Sequence, residues 1–537
     1  MTGAQALVNA LEKEGVQIVY GYPGAAICPF FDALINSKVQ AVLVRQEQNA
    51  AHAASGYARV TGTPGVCVVT SGPGATNLIT GLATAYMDSI PLVAITGQVR
   101  SDLIGRDVFQ EADITGAAEP FCKHSYLVKK AEELPRIIKE AFYIASTGRP
   151  GPVLIDLPID IQNTEITSEY PNEIDIKGYK PTFKGHPLQI KRVAEAVAKA
   201  KKPVICAGGG VFSSNAKDEI LAFAEKCNIP VVTTMMGIGA IPTVHPLNLG
   251  MLGTHGKFAA NKAIFEADLL IIAGARVGDR AMAAPNQIAK HAIVIHIDID
   301  PAEIGKNIES EIPVVGDLKN IFQELFEKTK PADSADWVEY VQGLKSKNKK
   351  SLEAKEGFID PRSFIRTLSH KMDSNSVLVA DVGQNQIWSA NNFEITKGRF
   401  LTTGGMGTMG YSIPAAVGVK TARPETQVVA VCGDGSFQMS MMELGTIIQE
   451  NAKVKIIIMR NNRLGMVREI QTNVYESRYT VTTLNGNPDF IALAAAYGIK
   501  AKSVTSNKDA EKAIDEMLAF DGAFLLECAI DPMESSF

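Results

Sequence analysis

The sequence predicts an α/β protein made of three doubly wound domains with mainly parallel sheets. Short runs of β-branched and aliphatic residues alternate with helix-length segments, and glycine or proline follows most of these runs. Strands that are apolar throughout are typical of parallel sheets covered by helices on both faces. At 537 residues the chain is also too long for a single hydrophobic core, so several domains are expected.

Twelve predicted strands fall into three groups along the chain. The first group is VQIVYGYPG, AVLV, GVCVVTSGPG and IPLVAITGQ; the second is PVICAGGG, IPVVTTMMGIG, ADLLIIAGAR and AIVIHIDID; the third is SVLVADVG, QVVAVCGDG, KVKIIIMRNN and FLLECAID. Ligands of such sheets gather at the carboxyl ends of the strands, where the glycine-rich turns fall.

Two polar stretches separate the groups and predict the domain boundaries. Residues 163–188 have no helical period and are interpreted as a linker. Residues 329–360 are rich in charge, and their second half, GLKSKNKKSLEAKEGFID, is predicted to form an exposed helix leading into a new domain. The predicted domains are therefore 1–165, 185–345 and 360–537. The first and third could be distant repeats of one fold, although no fixed-period repeat is visible.

Composition excludes several classes of protein. Hydrophobic residues make up 46% of the chain and charged residues 21%, as in soluble globular proteins, and the net charge of -5 comes without a basic block for nucleic acid. The N-terminus lacks the pattern of a secretory signal, and no apolar run is long enough to span a membrane. The seven scattered cysteines suit reduced thiols, so a cytoplasmic location is expected.

Asp434 and Asn461 each follow a predicted strand, 27 residues apart. Two parallel strands joined by one helix bring both residues to the same edge of the sheet, where carboxylate and amide oxygens can hold Mg²⁺. Gly433 and Gly435 allow a ligand to approach the backbone closely. Ser436 caps the following helix, whose start suits a phosphate. The alternative is a helix cap and an unrelated turn asparagine.

This Gly-Asp-Gly and Asn-Asn pattern resembles the thiamine diphosphate motif. The chain is similar to the thiamine-dependent enzymes, and within them to the acetohydroxyacid (acetolactate) synthase catalytic subunits, along nearly its whole length. The segments that carry the resemblance include GYPGAAICPFFDAL, RQEQNAAHAASGYAR, TSGPGATNLITGLATAYMDSIPLVAITGQV, ASTGRPGPVLIDLP, HIDIDPAEIGKN and GGMGTMGYSIPAAVG. The resemblance implies thiamine diphosphate and Mg²⁺, with the metal held by Asp434, Asn461 and the backbone oxygen of Arg463.

Glu47 starts a helix rich in small residues, and by itself it would be interpreted as a helix cap. The resemblance instead implies that its carboxylate bonds N1′ of the cofactor's aminopyrimidine and promotes proton removal from the thiazolium. Pro23, Gly24, Pro73 and Asn77 then belong to the pyrimidine pocket, with Gln110 and Phe109 near the reacting centre. In the family this glutamate and the diphosphate site come from different subunits, which implies a homodimer or homotetramer.

The third domain would supply the other cofactor contacts. The resemblance assigns these to Gly383, Gln384, Asn385, Gly407, Met409, Gly433, Gly435, Ser436 and Met466. At Asn385 the family more often has His, and Met409 matches the bulky residue that supports the bent cofactor.

The middle domain resembles the family's FAD site, in which the flavin performs no net redox chemistry. The implied contacts are Gly209, Gly210, Thr234, Gly253, His255, Gly274, Arg276 and Asp298. The chain departs from the family pattern at Thr254, where Met is usual, and at Val277 and Gly278, where Phe-Asp is usual.

Two further departures concern the substrate. Ile159 replaces a usual Lys, and Ile470 replaces a usual Trp that shapes the acceptor pocket, while Arg276 remains to bind a second carboxylate. The leading hypothesis is a carboligase that decarboxylates pyruvate and transfers the two-carbon unit to a second 2-keto acid, giving 2-acetolactate for branched-chain amino acid biosynthesis. Transfer to an aldehyde or ketone such as a keto sugar, and a pyruvate oxidase, are the alternatives. A regulatory subunit is possible; nucleic acid and membrane partners are not expected.

Overall fold

The computed structural model describes residues 1–282, 285–331, 333–345 and 354–537. These residues form three six-stranded sheets in which every paired strand is parallel, and helices cover the sheets. The predicted fold class is confirmed. All twelve predicted strands are present, and they include every strand inside the three sheets except β6.

The first sheet has the strand order β2-β1-β3-β4-β6-β5. Its strands are β1 Ile18–Tyr22, β2 Gln40–Leu43, β3 Gly65–Val69, β4 Leu92–Gln98, β5 His124–Leu127 and β6 Pro152–Pro158. Its helices are α1 Gly3–Lys13, α2 Cys28–Leu34, α3 Glu47–Thr61, α4 Pro73–Thr76, α5 Ile79–Asp88, α6 Ile114–Ala118, α7 Leu134–Ser146 and α8 Ile159–Asn163. The strand order reverses between β1 and β3, which opens a crevice at their carboxyl ends.

The central sheet has the order β12-β11-β10-β7-β8-β9. Its strands are β7 Pro203–Ala207, β8 Val231–Thr233, β9 Asn248–Met251, β10 Leu269–Ala273, β11 Ile293–Asp298 and β12 Ile312–Val315. Its helices are α9 Pro187–Lys199, α10 Gly210–Ser213, α11 Lys217–Cys227, α12 Phe258–Glu266, α13 Pro285–Ala289, α14 Leu318–Lys328 and α15 Ala335–Lys345. Renumbered within the domain, this is the 3-2-1-4-5-6 order of dinucleotide-binding folds, with the switch point between β7 and β10.

The third sheet has the order β14-β13-β15-β16-β18-β17, which is the order of the first sheet. Its strands are β13 Val377–Ala380, β14 Arg399–Leu401, β15 Val428–Gly433, β16 Lys455–Arg460, β17 Lys500–Val504 and β18 Phe524–Ala529. Its helices are α16 Pro361–Lys371, α17 Gln384–Asn392, α18 Ser412–Ala422, α19 Asp434–Gln438, α20 Leu444–Gln449, α21 Gly465–Val474, α22 Phe490–Ala496 and α23 Asn507–Ala519. The shared order supports the interpretation of the first and third domains as repeats of one fold.

Helices α3 and α18 join the first and third domains through their small residues. A Cβ added to Gly56 on α3 would collide with the backbone of Ala415, and one added to Gly418 on α18 would collide with the backbone of Ala53. The two helices therefore cross with their backbones in contact, which explains the abundance of Ala and Gly in both. This crossing fixes Glu47, the first residue of α3, relative to the third domain.

The structure corrects the interpretation of the second polar stretch. Helix α15 occupies Ala335–Lys345 within it, and Trp337 and Val341 of this helix are buried in the core beneath the central sheet. An apolar stripe at helical spacing was concealed by the surrounding charge. Residues 354–360 contain no helix, and the rest of the predicted exposed helix, 346–353, lies outside the described residues. Within the predicted linker 163–188, residues 166–186 have neither helix nor strand, whereas α8 extends to Asn163 and α9 begins at Pro187.

Six strands have no counterpart among the predicted ones: β5, β6, β9, β12, β14 and β17. All but β6 lie at an edge of a sheet. Edge strands are short and need apolar residues on one side only. Their sequences therefore show a weaker alternation of apolar residues than interior strands do. Among the described residues, no helix is long and apolar enough to cross a membrane.

Candidate functional site

The turns after β15 and β16 meet at one edge of the third sheet. Asp434 begins α19 directly after β15, and its Oδ2 accepts hydrogen bonds from the backbone N–H of Asn462 at 2.7 Å and from Asn487 Nδ2 at 2.8 Å. Asn461 Oδ1 accepts the N–H of Arg463 at 3.0 Å. The turns that carry Asp434 and Asn461 are thus neighbours, as the strand spacing predicted, and Arg463, which the resemblance implies as a ligand, lies in the second turn. Burial raises the pKa of the Asp434 carboxyl, partly offset by these hydrogen bonds.

The donor set suits a magnesium ion bound beside a diphosphate. A carboxylate, an amide oxygen and backbone carbonyls are the hard oxygen ligands that Mg²⁺ prefers. Gly433 and Gly435 flank the carboxylate, and a Cβ on Gly435 would stand 2.9 Å from Leu464 Cδ2, so the turn leaves little room for any side chain there. Ser436 was predicted to cap α19, but the N-cap is Gly433; Ser436 is the third residue of the helix, and its hydroxyl accepts the N–H of Gly433 at 3.1 Å.

Asp381, at the end of β13, anchors the neighbouring turns and was missed by the sequence analysis. Its carboxylate accepts hydrogen bonds from the N–H groups of Val382, Gly410 and Ser412 at 2.8–2.9 Å. It thereby ties the turn with Gly383 to the loop that carries Met409. Met409 Cε lies 3.7 Å from the Cβ position of Gly435, so this methionine covers the Gly-Asp-Gly turn. The only sequence signal was an aspartate directly after an apolar strand.

Gln384 and Asn385 begin α17 and face different neighbours. Asn385 Nδ2 donates to the backbone oxygens of Asp381 at 2.8 Å and Val431 at 3.2 Å, which joins the ends of β13 and β15. Gln384 Oε1 accepts from Asn461 Nδ2 at 2.9 Å, and its Nε2 donates to Glu469 Oε1 at 2.7 Å. Gln384 therefore orients the amide of the predicted metal ligand Asn461.

Residues 534–537 pack across this cluster. Gln384 Nε2 also donates to the carbonyl of Glu534 at 2.7 Å, and Ser536 Oγ donates to Glu469 Oε2 at 2.6 Å. The Phe537 ring stacks on His255 of the central domain with 4.8 Å between centroids. The segment thus links the third-domain cluster to the central domain, a connection that no sequence pattern indicated.

The first-domain residues form a second group at the carboxyl ends of β1 and β3. Asn77 ends α4 and donates to Glu47 Oε2 at 2.9 Å. Gly24, next to Pro23 after β1, packs so closely on Thr70 that a Cβ there would stand 2.6 Å away. A Cβ on Gly74, beside Pro73, would lie 3.5 Å from Glu47 Oε1. The structure therefore brings Glu47 together with the predicted pyrimidine-pocket residues.

Phe109 and Gln110 lie on the loop between β4 and α6. Phe109 is 86% exposed, and Gln110 has a left-handed backbone with φ of 58°. Gln110 packs against Gly72, where a Cβ would approach its atoms to within 2.9–3.0 Å and where φ is also 58°. Only glycine tolerates both conditions easily. The exposed aromatic ring of Phe109 lies next to a residue with a strained, left-handed backbone. This combination indicates that the loop contacts another molecule or subunit.

Asp156 anchors the base of this loop. It lies on β6 and is buried, and its carboxylate accepts from Thr96 Oγ1 at 2.7 Å and Gln98 Nε2 at 2.8 Å. Gln98 Nε2 also donates to the carbonyl of Ala112 at the far end of the loop, at 2.8 Å. Burial raises the pKa of the Asp156 carboxyl to about 7, against the lowering effect of these hydrogen bonds.

We expect Asp156 to make stability depend on pH. An unfolded Asp titrates near pH 4, so between about pH 4 and pH 7 the folded chain holds one proton more than the unfolded chain. The stability from this group is complete below that range and is lost as the pH rises through about 7. The thermal midpoint of the wild type should therefore fall more than that of Asp156→Asn between about pH 5 and pH 8. Equal falls in both proteins would contradict the assignment.

The two groups are not joined to each other within one chain. Among the described residues, no hydrogen bond or ion pair links Glu47, Phe109 or Gln110 to Asp434 or Asn461. The nearby polar bridge between domains uses other residues: Glu443 Oε1 accepts from the N–H of Arg45 and from Asn49 Nδ2, both at 2.9 Å.

A cavity of about 940 Å³ opens at the switch point of the central sheet. Seven of the eight predicted flavin contacts line it, namely Gly209, Gly210, Thr234, His255, Gly274, Arg276 and Asp298, and Gly407 of the third domain does so as well. Gly253 is not among the lining residues; its backbone is held by hydrogen bonds to Asn261. First-domain residues missed by the sequence analysis, among them Asp88 and Arg149, complete the wall.

The cavity fits a dinucleotide. A Cβ on Gly210 would stand 2.7 Å from Gly274 Cα, so the two glycine turns after β7 and β10 touch and leave their backbones open to a ligand. The volume lies within the range of cofactor sites. Val277, at the departure from the family pattern, has φ of 52°, which is unusual for a β-branched residue. Burial raises the pKa of Asp298 to about 6.

The predicted substrate residues lie on separate elements. Ile159 begins α8 in the first domain and is half-buried, whereas Ile470, 48% exposed, and Met466 lie on α21 in the third. Arg276 lies in the wall of the central cavity, where a Cβ on Gly405 would stand 3.1 Å from its Nη2. Within one chain, no described contact joins Ile159 to Ile470.

Comparison with known proteins identifies similar sequences over the whole chain. Three families match in order: the N-terminal TPP binding domain of thiamine pyrophosphate enzymes at residues 1–117, their central domain at 190–325, and their C-terminal TPP binding domain at 381–528. The N-terminal match includes Glu47, and the C-terminal match includes Asp434 and Asn461.

Individual relatives are similar over nearly their full length. The "Probable acetolactate synthase large subunit" of Methanocaldococcus jannaschii is 47% identical, over 100% of this chain and 93% of its own. The "Acetolactate synthase large subunit" of Corynebacterium glutamicum is 46% identical, over 96% and 84%. The "Acetolactate synthase isozyme 2 large subunit" of Escherichia coli is 44% identical, over 100% and 96%.

Proposed function

The chain belongs to the acetolactate synthase large subunits of the thiamine diphosphate-dependent enzymes, and from this premise we propose that it condenses two pyruvate molecules to 2-acetolactate and CO₂ with the help of Mg²⁺ and FAD. The family uses thiamine diphosphate to transfer an aldehyde residue in branched-chain amino acid biosynthesis. The observation that carries the proposal is the meeting of the Gly-Asp-Gly turn and the turn of Asn461 at the carboxyl ends of β15 and β16.

Thiamine diphosphate, when bound, supplies the carbon nucleophile for both half-reactions. The chain's own residues bind and orient it. Asp434, Asn461 and the backbone oxygen of Arg463 would hold Mg²⁺ against the diphosphate, and Gln384 keeps the Asn461 amide in place. Gly383, Asn385, Gly407, Gly433, Gly435, Ser436, Met409 and Met466 are proposed to surround the diphosphate and thiazolium.

Glu47 is the proposed proton-handling group. Its carboxylate, held by Asn77, would bond the aminopyrimidine N1′ within the pocket of Pro23, Gly24 and Pro73. Gln110 and Phe109 are proposed to flank the reacting carbon. Arg276 is proposed to bind the carboxylate of the acceptor, because its planar fork matches a carboxylate. Ile159 and Ile470 are proposed to bound the acceptor space.

A homodimer is proposed, with the first-domain and third-domain groups as two halves of a shared site. Glu47 and Asp434 lie in groups that one chain does not connect, and Phe109 displays its ring to the outside. We infer that the first domain of one subunit completes the third-domain site of another. The relatives are described as large subunits, and we extend to this chain the expectation of a smaller regulatory partner.

FAD is proposed for the central cavity, with Gly209, Gly210, Thr234, Gly253, His255, Gly274, Arg276 and Asp298 as contacts. The touching glycine turns after β7 and β10 support this proposal. The flavin has no net redox role in the proposed reaction.

Product analysis tests the proposed reaction. The purified chain, supplied with pyruvate, Mg²⁺, thiamine diphosphate and FAD, is expected to form 2-acetolactate, detected as acetoin after acid decarboxylation. A second incubation with 2-ketobutyrate measures acceptor preference. Acylation of added aldehydes or keto sugars without any acetolactate would overturn the proposal, and so would steady reduction of bound FAD by pyruvate at the rate of turnover.

A further inference from the structure

A small cavity of about 100 Å³ lies where the three domains meet, beside the large central cavity. It is called the junction cavity here and is lined by residues from every domain, including Arg59, Asp88, Phe212, Met236, Arg399 and Thr402. Arg59, Phe212, Arg399 and Thr402 do not line the flavin-type cavity. The junction cavity adjoins the large cavity and shares lining residues such as Asp88 and Met236 with it, but its arginine wall is its own.

Two guanidinium groups line this cavity: that of Arg59 is buried and that of Arg399 is half-buried. The Arg59 side chain is 5% exposed; its Nη1 donates to the Thr402 carbonyl at 2.6 Å and its Nη2 to Asp88 at 3.0 Å, but its buried Nε has no hydrogen-bond partner. The Arg399 guanidinium stacks on the Phe212 ring at 3.9 Å, and its buried Nε is also without a partner. Within the described residues, no carboxylate forms an ion pair with Arg399.

The charges lining the cavity do not balance. Asp88 is the only carboxylate among the lining residues, and it is already occupied by Arg59 and by the N–H groups of Gly404 at 3.2 Å and Gly405 at 2.8 Å. The half-buried positive charge of Arg399 therefore remains without a counter-charge among the described residues. Burial and the neighbouring Arg59 lower the pKa of Arg399 to about 9. Buried charges in proteins are normally paired, because desolvation of a lone ion is costly.

We propose that the junction cavity binds one small oxyanion, of the phosphate, sulfate or carboxylate class, between Arg59 and Arg399. The Arg399 guanidinium forms no hydrogen bond among the described residues, and guanidinium groups suit planar carboxylates and tetrahedral phosphate or sulfate ions. The volume corresponds to about three water molecules in the liquid, which admits a small anion but no nucleotide or flavin. Water would satisfy the donors without neutralising the charge.

The anion would connect all three domains. Arg59 ends α3 of the first domain, Arg399 begins β14 of the third, and Phe212 belongs to α10 of the central domain. A ligand that binds only the assembled junction stabilises the folded chain by mass action. The proposal does not depend on the catalytic assignment, since none of these residues belongs to the proposed catalytic groups.

Thermal unfolding of the cofactor-loaded protein tests the site. Thiamine diphosphate, Mg²⁺ and FAD are saturating, so that their sites are filled, and sodium phosphate replaces sodium chloride at constant ionic strength. We expect a saturable rise in the wild-type midpoint of about 2–4 °C. Arg399→Met, which keeps an apolar chain over Phe212, should lose the saturable rise, whereas Arg192→Gln, at an exposed arginine of the central domain, should keep it.

Two further measurements keep the proposal falsifiable if Arg399→Met folds poorly. Arg399→Lys retains the positive charge but lacks the planar guanidinium group. Its thermal midpoint should therefore rise less with phosphate than that of the wild type. Equilibrium dialysis with radioactive phosphate should find one site per wild-type chain at saturation. A response to sodium acetate but not to phosphate would support the site with a carboxylate as its occupant. Identical responses of the wild type and Arg399→Met to both anions, or no bound anion, would overturn the proposal.

Discussion

Glu47→Gln is expected to lower kcat by about 10²- to 10⁴-fold, the usual contribution of a positioned acid or base. Gln has nearly the shape of Glu and can still accept the hydrogen bond from Asn77, but it cannot take up a proton. Binding of thiamine diphosphate should change little, because the diphosphate and metal contacts lie in the third-domain group. The measurement is steady-state acetolactate formation together with a titration of the cofactor.

The matched control for this prediction is Glu195→Gln. Glu195 is an exposed residue of α9 with a long surface ion pair to Lys191, so the same chemical change should leave turnover near the wild-type value. Near-normal turnover in Glu47→Gln would remove Glu47 from its proposed role. Loss of turnover accompanied by a lowered thermal midpoint would instead assign Glu47 to the packing of α3.

Asp434→Asn is expected to raise the concentrations of Mg²⁺ and thiamine diphosphate needed for half-maximal activity by at least about 10- to 100-fold. Substitutions of residues that only support a metal ligand already cost that much in metal affinity, and Asp434 would supply the sole carboxylate of the proposed set. Asn keeps the size of the side chain but loses the negative charge opposite the metal. The requirement for both cofactors is measured by titrating the metal-free protein.

Asp521→Asn is the control, since Asp521 is a largely exposed carboxylate of the same domain that pairs with Lys453 on the surface. An unchanged magnesium requirement in Asp434→Asn would contradict the metal assignment. Partial recovery of activity at high Mg²⁺ concentration is expected, because the amide oxygen of Asn remains a weaker ligand.

The two variants together test the shared site. Each of the homodimers should be inactive for a different reason: one lacks the base of the first-domain group and the other lacks the metal ligand of the third-domain group. Mixing them under conditions that exchange subunits should restore part of the activity, because a mixed dimer contains one site with both wild-type groups. Absence of recovery, despite mixed dimers seen by mass spectrometry of the intact assembly, would place both groups of a site in one chain.

Much of the architecture follows from local sequence. A β-branched run that ends in glycine, as in QVVAVCGDG, predicts both a buried strand and the turn where a ligand approaches. The spacing from Asp434 to Asn461 was enough to predict that their turns are neighbours, because one strand, one helix and one strand have a single preferred handedness. Edge strands such as β14 and β17 escaped the prediction because one of their sides carries no packing constraint.

The polar supports of the site could not be predicted in the same way. Asp381, Glu469 and Asn487 act through partners distant in sequence, and each is by itself an ordinary polar residue. Helix α15 was concealed by surrounding charge, since only four apolar residues mark its buried side. The role of such a residue can be assigned only when the structure shows which groups it contacts.

The sequence by itself determined the order of strands and helices, the glycine turns at the sheet edges and the residue types that suit a metal-bound diphosphate, because these depend on short-range patterns. Only the tertiary structure showed that Glu47 and Asp434 make no polar contact within the described part of one chain, and that Arg59 and Arg399 line one junction. Both results arise from how three domains pack, through contacts such as the α3–α18 crossing. Contacts between residues hundreds of positions apart leave no periodic trace in a single sequence.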